Sequence, residues 1–232
     1  MITSLILGTR NAHKVQEIQD LLPVKCRFMT LADFPNAPSV REDADSFCGN
    51  AAKKAVALAA WISNSVASPQ RDALLGGNTF VLADDSGLEV DALNGLPGVH
   101  SARFAAGDKA GPNTPDAANN SKLLKLLEIL PSEKRLARFR CVIALAPVLK
   151  SAENQSPVCY SSEAELRVEL FEGVCEGRID FAPRGDGGFG YDSLFVPQGF
   201  AETFAELGAT TKNQISHRAK AIRKLSQHLF GL

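Results

Sequence analysis

The chain contains no CxxC pair, and its five cysteines (Cys26, Cys48, Cys141, Cys159 and Cys175) are an odd number. Zinc binding is not expected without close ligand spacing, and thiols so scattered read as reduced, partly buried side chains of a cytoplasmic protein. No apolar segment approaches the ~20 residues that span a bilayer, so a membrane is not an expected partner. The apolar start, Met1 to Gly8, has neither a basic leader nor a cleavage pattern and is read as a first strand, not a signal peptide. Neither sign of charge dominates: 25 Lys plus Arg stand against 26 Asp plus Glu, a formal net charge of -1. Wrapping duplex nucleic acid normally takes a basic excess, so nucleic acid is not an expected partner either. Internal repeats, coiled-coil heptads and the glycines of a GxxxxGK[ST] phosphate loop are also missing.

What is present is an ordinary globular composition, 45% hydrophobic and 22% charged over 232 residues, enough for one domain spanning 1–232. Leu5 to Gly8 ends a strand at the turn TRNAHK, and Val15, Ile18, Leu21 and Leu22 share a helix face that closes before Pro23. Residues 30–46 read as a Pro- and Asp-rich loop, and Phe47 to Ile62 as a helix with Phe47, Ala51, Ala55, Leu58 and Ile62 in register. Residues 63–78 look like a polar surface insertion. A buried strand, Thr79 to Ala83, runs into DDSG; PGVHSARF and a long loop through Pro115 follow. Ala117 to Leu130 is read as a helix, Ala137 to Ala146 and Val158 to Phe171 as strands, and APRGDGGFGYD as a Gly-rich loop. The last helix carries Ala219, Ile222, Leu225 and Leu229 on one face, with Ser216 as its cap. Interleaved strands and helices make the class α/β, and the long alternating strands predict a mixed sheet.

Several segments carry chemistry. A strand that breaks into a turn and opens a helix aims unpaired N–H groups outward, so Thr9, Asn11 and Lys14 suit a phosphate chain; an ordinary turn with a solvated lysine is the alternative. Asp84 and Asp85 are adjacent carboxylates after an apolar run, costly unless a positive group neutralises them, and hard oxygen donors favour Mg²⁺; an Asx-turn at a strand end is the alternative. Glu42 and Asp43 offer a second metal ligand or a solvated loop. Of Lys53 and Lys54, only one can face the side of the helix that looks toward its start. In Arg184 to Asp192, RGDGGFGYD, glycines allow close backbone approach, and Phe189 and Tyr191 offer rings for a base or simply anchor the loop. Ile215-Ser216-His217-Arg218 puts two donors at a helix N-terminus, where cations are disfavoured, so an anionic or acceptor-rich group is expected there. Donors in a base pocket favour a purine with oxygen at position 6 over one with an amino group.

Taken in order, these segments resemble the inosine triphosphate pyrophosphatase, or Ham1-like, family. The resemblance rests on TxNxxK at Thr9 to Lys14, the acidic loop at Glu42, NAxxKA at Asn50 to Ala55 and ADDSGLxVDAL at Ala83 to Leu93. It continues through PGVxSAR at Pro97 to Arg103, ARFxC at Ala137 to Cys141, GGFGYD at Gly187 to Asp192 and KxxISHR at Lys212 to Arg218. It implies a two-lobed α/β protein with a central mixed sheet flanked by helices, an active site in the cleft between lobes, and a homodimer. The implied activity is hydrolysis of the purine nucleoside triphosphates ITP, dITP and XTP to monophosphate and pyrophosphate with Mg²⁺. Asp85 is implied as the catalytic carboxylate and, with Glu42, as a metal ligand. Thr9, Arg10, Asn11, Ala12, His13 and Lys14, with Lys54 and Arg103, are implied to hold the triphosphate, and Ser86 to contact substrate. Phe189, Gly190, Tyr191 and Asp192 are implied to frame the base, with Lys212, His217 and Arg218 at its edge. Two positions depart from the family pattern: Ala44 stands where Gly is usual, and Gly49 where an acid commonly precedes Asn50, which thins the acidic set around Glu42.

Overall fold

The computed structural model describes residues 3–22, 26–65, 78–106, 113–149 and 168–231. Its elements are β1 (Thr3–Leu7), α1 (Ala12–Leu21), β2 (Cys26–Thr30), α2 (Phe47–Ser65), β3 (Thr79–Val90), α3 (Asp116–Leu126), β4 (Leu136–Pro147), β5 (Glu169–Ile179), β6 (Phe195–Pro197), α4 (Phe204–Ile215) and α5 (His217–Phe230). Six strands form one sheet in the order β2-β1-β3-β4-β5-β6. β1 pairs in parallel with β2 and β3, whereas β5 and β6 are antiparallel, so the sheet is mixed as the alternation predicted. Among the described residues no helix is long and apolar enough to cross a membrane.

Two compact units share the chain. The first is Met1–Asp85, Val142–Phe171 and Leu229–Leu232, and the second is Ser86–Cys141 and Glu172–His228. In the first, Leu5, Ile6 and Leu7 of β1 are wholly buried, as a strand with parallel neighbours on both sides requires. α2 buries Ala51, Ala55, Leu58 and Ile62, the face that helical spacing selects, and a β-carbon at Gly8 would lie 3.0 Å from Leu58 Cδ1. The second unit has its own core, in which Leu88, Val90, Leu123, Leu127, Phe139, Ile179, Leu194, Phe195 and Phe204 pack together. The described cysteines Cys26, Cys48, Cys141 and Cys175 are free thiols.

Several sequence expectations need correction. The strand expected to stop at Ala83 continues through Asp84, Asp85, Ser86 and Gly87 to Val90, because basic and amide side chains from α1 and α2 meet the two carboxylates and let them lie within a ladder. The strand expected at Val158 to Phe171 is strand from Glu169 on, but as β5 it runs past Phe171 to Ile179; its earlier part, 158–167, lies outside the described residues, as do 107–112 of the long loop. Gly173 and Gly177 give that segment the look of a loop, yet both stand where other atoms crowd the backbone: a β-carbon would meet His217 O at 2.0 Å at the first and Val196 O at 2.4 Å at the second. Of the insertion expected at 63–78, Ser63 is buried in α2, with its hydroxyl donating to Ala59 O at 2.9 Å, and 66–77 lie outside the described residues. α4, β2 and β6 were not anticipated. α4 opens with a capping box, in which Thr203 Oγ1 accepts from Glu206 N and the Glu206 carboxylate accepts from Thr203 N.

Candidate active site

In the first unit, the turn after β1 is built by its own side chains. Asn11 Oδ1 accepts from Lys14 N at 3.2 Å and caps α1, while Thr9 Oγ1 accepts from Asn11 N at 3.2 Å. Ala12 and His13 are exposed on the first turn of that helix, so its outward N–H groups face solvent near them. Arg10 reaches across the loop and donates to Ala37 O at 2.8 Å.

The two adjacent carboxylates divide their partners. Lys14 Nζ stands 3.0 Å from Asp84 Oδ2, and Lys54 Nζ donates to the Asp84 carbonyl at 2.6 Å. Asp85 Oδ2 accepts from Asn50 Nδ2 at 3.0 Å. Lys54 Nζ also lies 3.2 Å from Glu42 Oε2, while its neighbour Lys53 turns to Asp43, so one lysine of the pair faces inward as helical spacing requires. Burial pushes the Asp85 carboxyl up to about 6; Lys54 and Lys14 oppose that rise, Glu42 adds to it, and the Asn50 hydrogen bond lowers it. A carboxylate with that proton affinity, 6% exposed and flanked by two ammonium groups, suits proton exchange near neutral pH.

In the second unit, Ser86 Oγ accepts from Arg218 Nη2 at 2.8 Å, and Arg218 and His217 are both buried at the start of α5. Ser216 Oγ caps that helix, accepting from Ala219 N at 3.2 Å. Asp192 Oδ2 accepts from Lys212 Nζ at 2.5 Å and from Phe189 N at 2.9 Å, which folds the Gly-rich loop onto the ammonium. Gly188 has φ +74°, and a β-carbon there would fall 2.2 Å from Asp192 Oδ2. Lys212 Nζ then sits 4.8 Å from the Phe189 ring centroid. Tyr191 is buried, its hydroxyl donating to Ser101 O at 2.9 Å, and burial pushes its phenol up; Phe189 is the ring left half-exposed. Gly190 is held at both ends of its peptide unit, its N–H by Asp116 Oδ2 at 2.6 Å and its carbonyl by Asn120 Nδ2 at 3.1 Å. Arg103 is half-buried on the short helical segment Gly98–Ala106.

A model of the Ham1 family matches residues 5–228. The chain belongs to the Ham1 family. It is 43% identical over 226 residues to the dITP/XTP pyrophosphatase of Desulforamulus reducens, covering 97% of this chain and 94% of that one. To the dITP/XTP pyrophosphatase of Shouchella clausii it is 40% identical over 231 residues, covering 100% and 98%. The Ham1 protein from Coxiella burnetii superposes with a TM-score of 0.75 at 34% identity, covering 99% of this chain and 100% of the other. The Ham1 protein of Staphylococcus aureus gives 0.73 at 32%, covering 98% of each.

Within this Ham1 chain three polar residues stand out that residue-by-residue reading had left without a role. Asn50 donates to Asp85 and accepts from Ala44 N at 2.9 Å, tying the acidic loop to the carboxylate. Asp116 and Asn120 grip Gly190 from the first turns of α3. Their signal was available as short polar residues at the start of a helix, but their target lies 70 or more positions away. The donor set fits Mg²⁺. Asp85 feels the Glu42 charge, so a divalent cation near them would relieve like-charge repulsion. Among the described residues no group of three or more His, Cys, Asp or Glu gathers as a cage, and Mg²⁺ is commonly held by one or two carboxylates with phosphate oxygens completing the shell.

Proposed function

We propose that this chain hydrolyses the deaminated purine nucleotides ITP, dITP and XTP to monophosphate and pyrophosphate, keeping those bases out of DNA and RNA. The observation that carries the reading is Asp85: buried, of raised proton affinity, and flanked by Lys14 and Lys54. Its relatives' shared activity, dITP/XTP pyrophosphatase, supplies the substrate class.

In this reading water attacks the α-phosphorus. Its oxygen bonds to phosphorus, the bond from phosphorus to the bridging α–β oxygen breaks, and pyrophosphate leaves. Asp85 takes the water proton, a role suited to a carboxyl poised near 6. Lys14 and Lys54 place positive charge opposite the phosphate oxygens as charge moves onto the leaving group. The N–H groups at the start of α1, with Thr9 to Lys14, hold the phosphate tail. Mg²⁺, held by Asp85 and Glu42, would supply further charge neutralisation on those oxygens. At the other end of the same nucleotide, Phe189 stacks on the base and Lys212, His217 and Arg218 donate to its edge, so a 6-oxo purine is accepted and a 6-amino purine leaves donors facing donors. Ser86 and Arg103 contact the sugar-phosphate between these ends, and the active form is a homodimer.

The test is incubation with ITP and Mg²⁺ followed by product identification. Pyrophosphate with IMP is expected; inorganic phosphate with IDP overturns the assignment. Light scattering in solution checks the dimer separately.

A further inference from the structure

The ARFxC segment, Ala137 to Cys141, has no role in the reading above, yet its phenylalanine touches one of the proposed base-edge residues. The Phe139 ring lies 4.7 Å from the His217 imidazole with an interplanar angle of 12°, a near-parallel offset stack. Behind Phe139 stand Phe195, 4.7 Å away at 61°, and Phe204, 6.1 Å away at 26°; these two also meet each other at 5.2 Å. Phe139 is 7% exposed and the other two are at most 1%, so the imidazole rests on the edge of a packed aromatic cluster.

The backbone of the same residue is held by the next strand. A β-carbon at Gly173 would fall 2.0 Å from His217 O and 2.6 Å from Ala221 N, so β5 and the first turn of α5 approach as closely as glycine permits. Lys220 Nζ donates to Val174 O and Lys224 Nζ to Glu172 O, both at 2.7 Å, and these two bonds pin the helix to β5 further along. β4 therefore fixes the plane of the imidazole, and β5 fixes the position of its backbone.

We propose that Phe139 and Gly173 are positioning residues that aim His217, and that this aim sets how well the site separates 6-oxo from 6-amino purines. An imidazole N–H lies in the ring plane, so rotation about the Cβ–Cγ bond would drive the ring edge into the Phe139 face. A fixed donor loses a bond when an amino group replaces the base oxygen, whereas a donor free to turn away escapes most of that loss. The inference rests on the functional reading above.

The experiment compares Phe139→Leu, which removes the flat face, with Phe195→Leu, which removes a ring of the same cluster. Both loosen the core, and only the first removes the surface under His217. For Phe139→Leu, KM for ITP is expected to rise about tenfold and the ITP-to-ATP ratio of kcat/KM to narrow about tenfold, with kcat within about twofold. Phe195→Leu is expected to keep the wild-type ratio. Phe139→Tyr, which keeps a ring, is expected to restore it. Equal changes in the two leucine variants, or an unchanged ratio in Phe139→Leu, overturn the proposal.

A measurement on the unmodified protein covers the case in which Phe139→Leu does not fold. The carbon-bound ring protons of His217, identified by their loss in His217→Gln, are expected to show an upfield ring-current shift in NMR spectra that persists when IMP is added. Ordinary, unshifted positions overturn the stack. Wild-type protein that releases no pyrophosphate from ITP defeats the functional reading; protein that does release it while Phe139→Leu still discriminates defeats only this inference.

Discussion

Lys14 and Asp84 meet at 3.0 Å, with the aspartate side chain fully buried and the lysine side chain 16% exposed. The partner of Lys14 is thus the first carboxylate of the DDSG run and not the second, which accepts from Asn50. A buried ion pair is expensive to break from one side, because the remaining charge stays out of water. Asp84→Ala and Lys14→Ala should each cost about 3 kcal/mol of folding stability, and the double variant clearly less than their sum. Urea denaturation of the four proteins gives the coupling; additive costs would show that the pair holds nothing together.

The raised proton affinity of Asp85 gives two linked outcomes. Its ordinary value is 3.8 and its folded value about 6, so the folded state binds the proton more tightly. Protonation therefore contributes about 3 kcal/mol of stability below pH 4, and this contribution is lost as pH rises through 6. Without divalent cations, Asp85→Asn, which stays neutral, should be more stable than wild type at pH 7.5 by up to that amount and equal to it near pH 3.5. The same variant should lose turnover. In the wild type, kcat/KM should rise with pH as Asp85 loses its proton, at a pH below 6 because the Mg²⁺ proposed for turnover favours the carboxylate. Because the Glu42 charge holds the value up, Glu42→Gln should move that limb to lower pH, and a limb moving upward would contradict the arrangement.

Much of the fold could be read because apolar spacing decides it. Leu5 to Leu7, the Ala51–Ala55–Leu58–Ile62 face and Ile222–Leu225 are buried where periodicity puts them. β5 runs past the end expected at Phe171 through glycines that answer to atoms in α5 and β6, which no local pattern reveals. β2 and β6 are short and take their form from neighbouring strands, not from propensity. α4 was legible in principle, since Thr203 and Glu206 have capping-box spacing, but Gly208, with φ +71°, interrupts the helical pattern. For the site, residue types revealed the carboxylates and lysines, while the pairing among Lys14, Asp84, Asn50 and Asp85 depends on side-chain directions fixed only by packing.

Ala44 and Gly49 lie against one another. A β-carbon at Gly49 would lie 2.8 Å from Ala44 Cβ and 3.1 Å from Ser46 Oγ. Replacing a helical glycine with alanine ordinarily stabilises by about 1 kcal/mol, yet here the new methyl meets the Ala44 methyl. Gly49→Ala alone should therefore bring no gain, while in an Ala44→Gly background it should stabilise, a favourable coupling of about 1 kcal/mol. Thermal unfolding of the two singles and the double measures it. Independent effects would mean that the loop at Ala44 yields without cost.

Asp192 and Lys212 are 2% and 5% exposed, and the carboxylate oxygen facing the ammonium also accepts from Phe189 N. One side chain therefore does two things: it neutralises a buried cation and closes the loop that carries the proposed stacking ring. Asp192→Asn keeps the shape but removes the charge, so it should destabilise by about 3 kcal/mol. It should also raise KM for ITP several-fold while leaving kcat nearly intact, because the proposed phosphate-handling residues Lys14, Lys54 and Asp85 are untouched. Lys212→Met in the same background should recover most of the stability, since no charge is then buried, yet leave KM high, since a proposed base-edge donor is gone. Recovery of KM along with stability would show that Lys212 serves the fold alone.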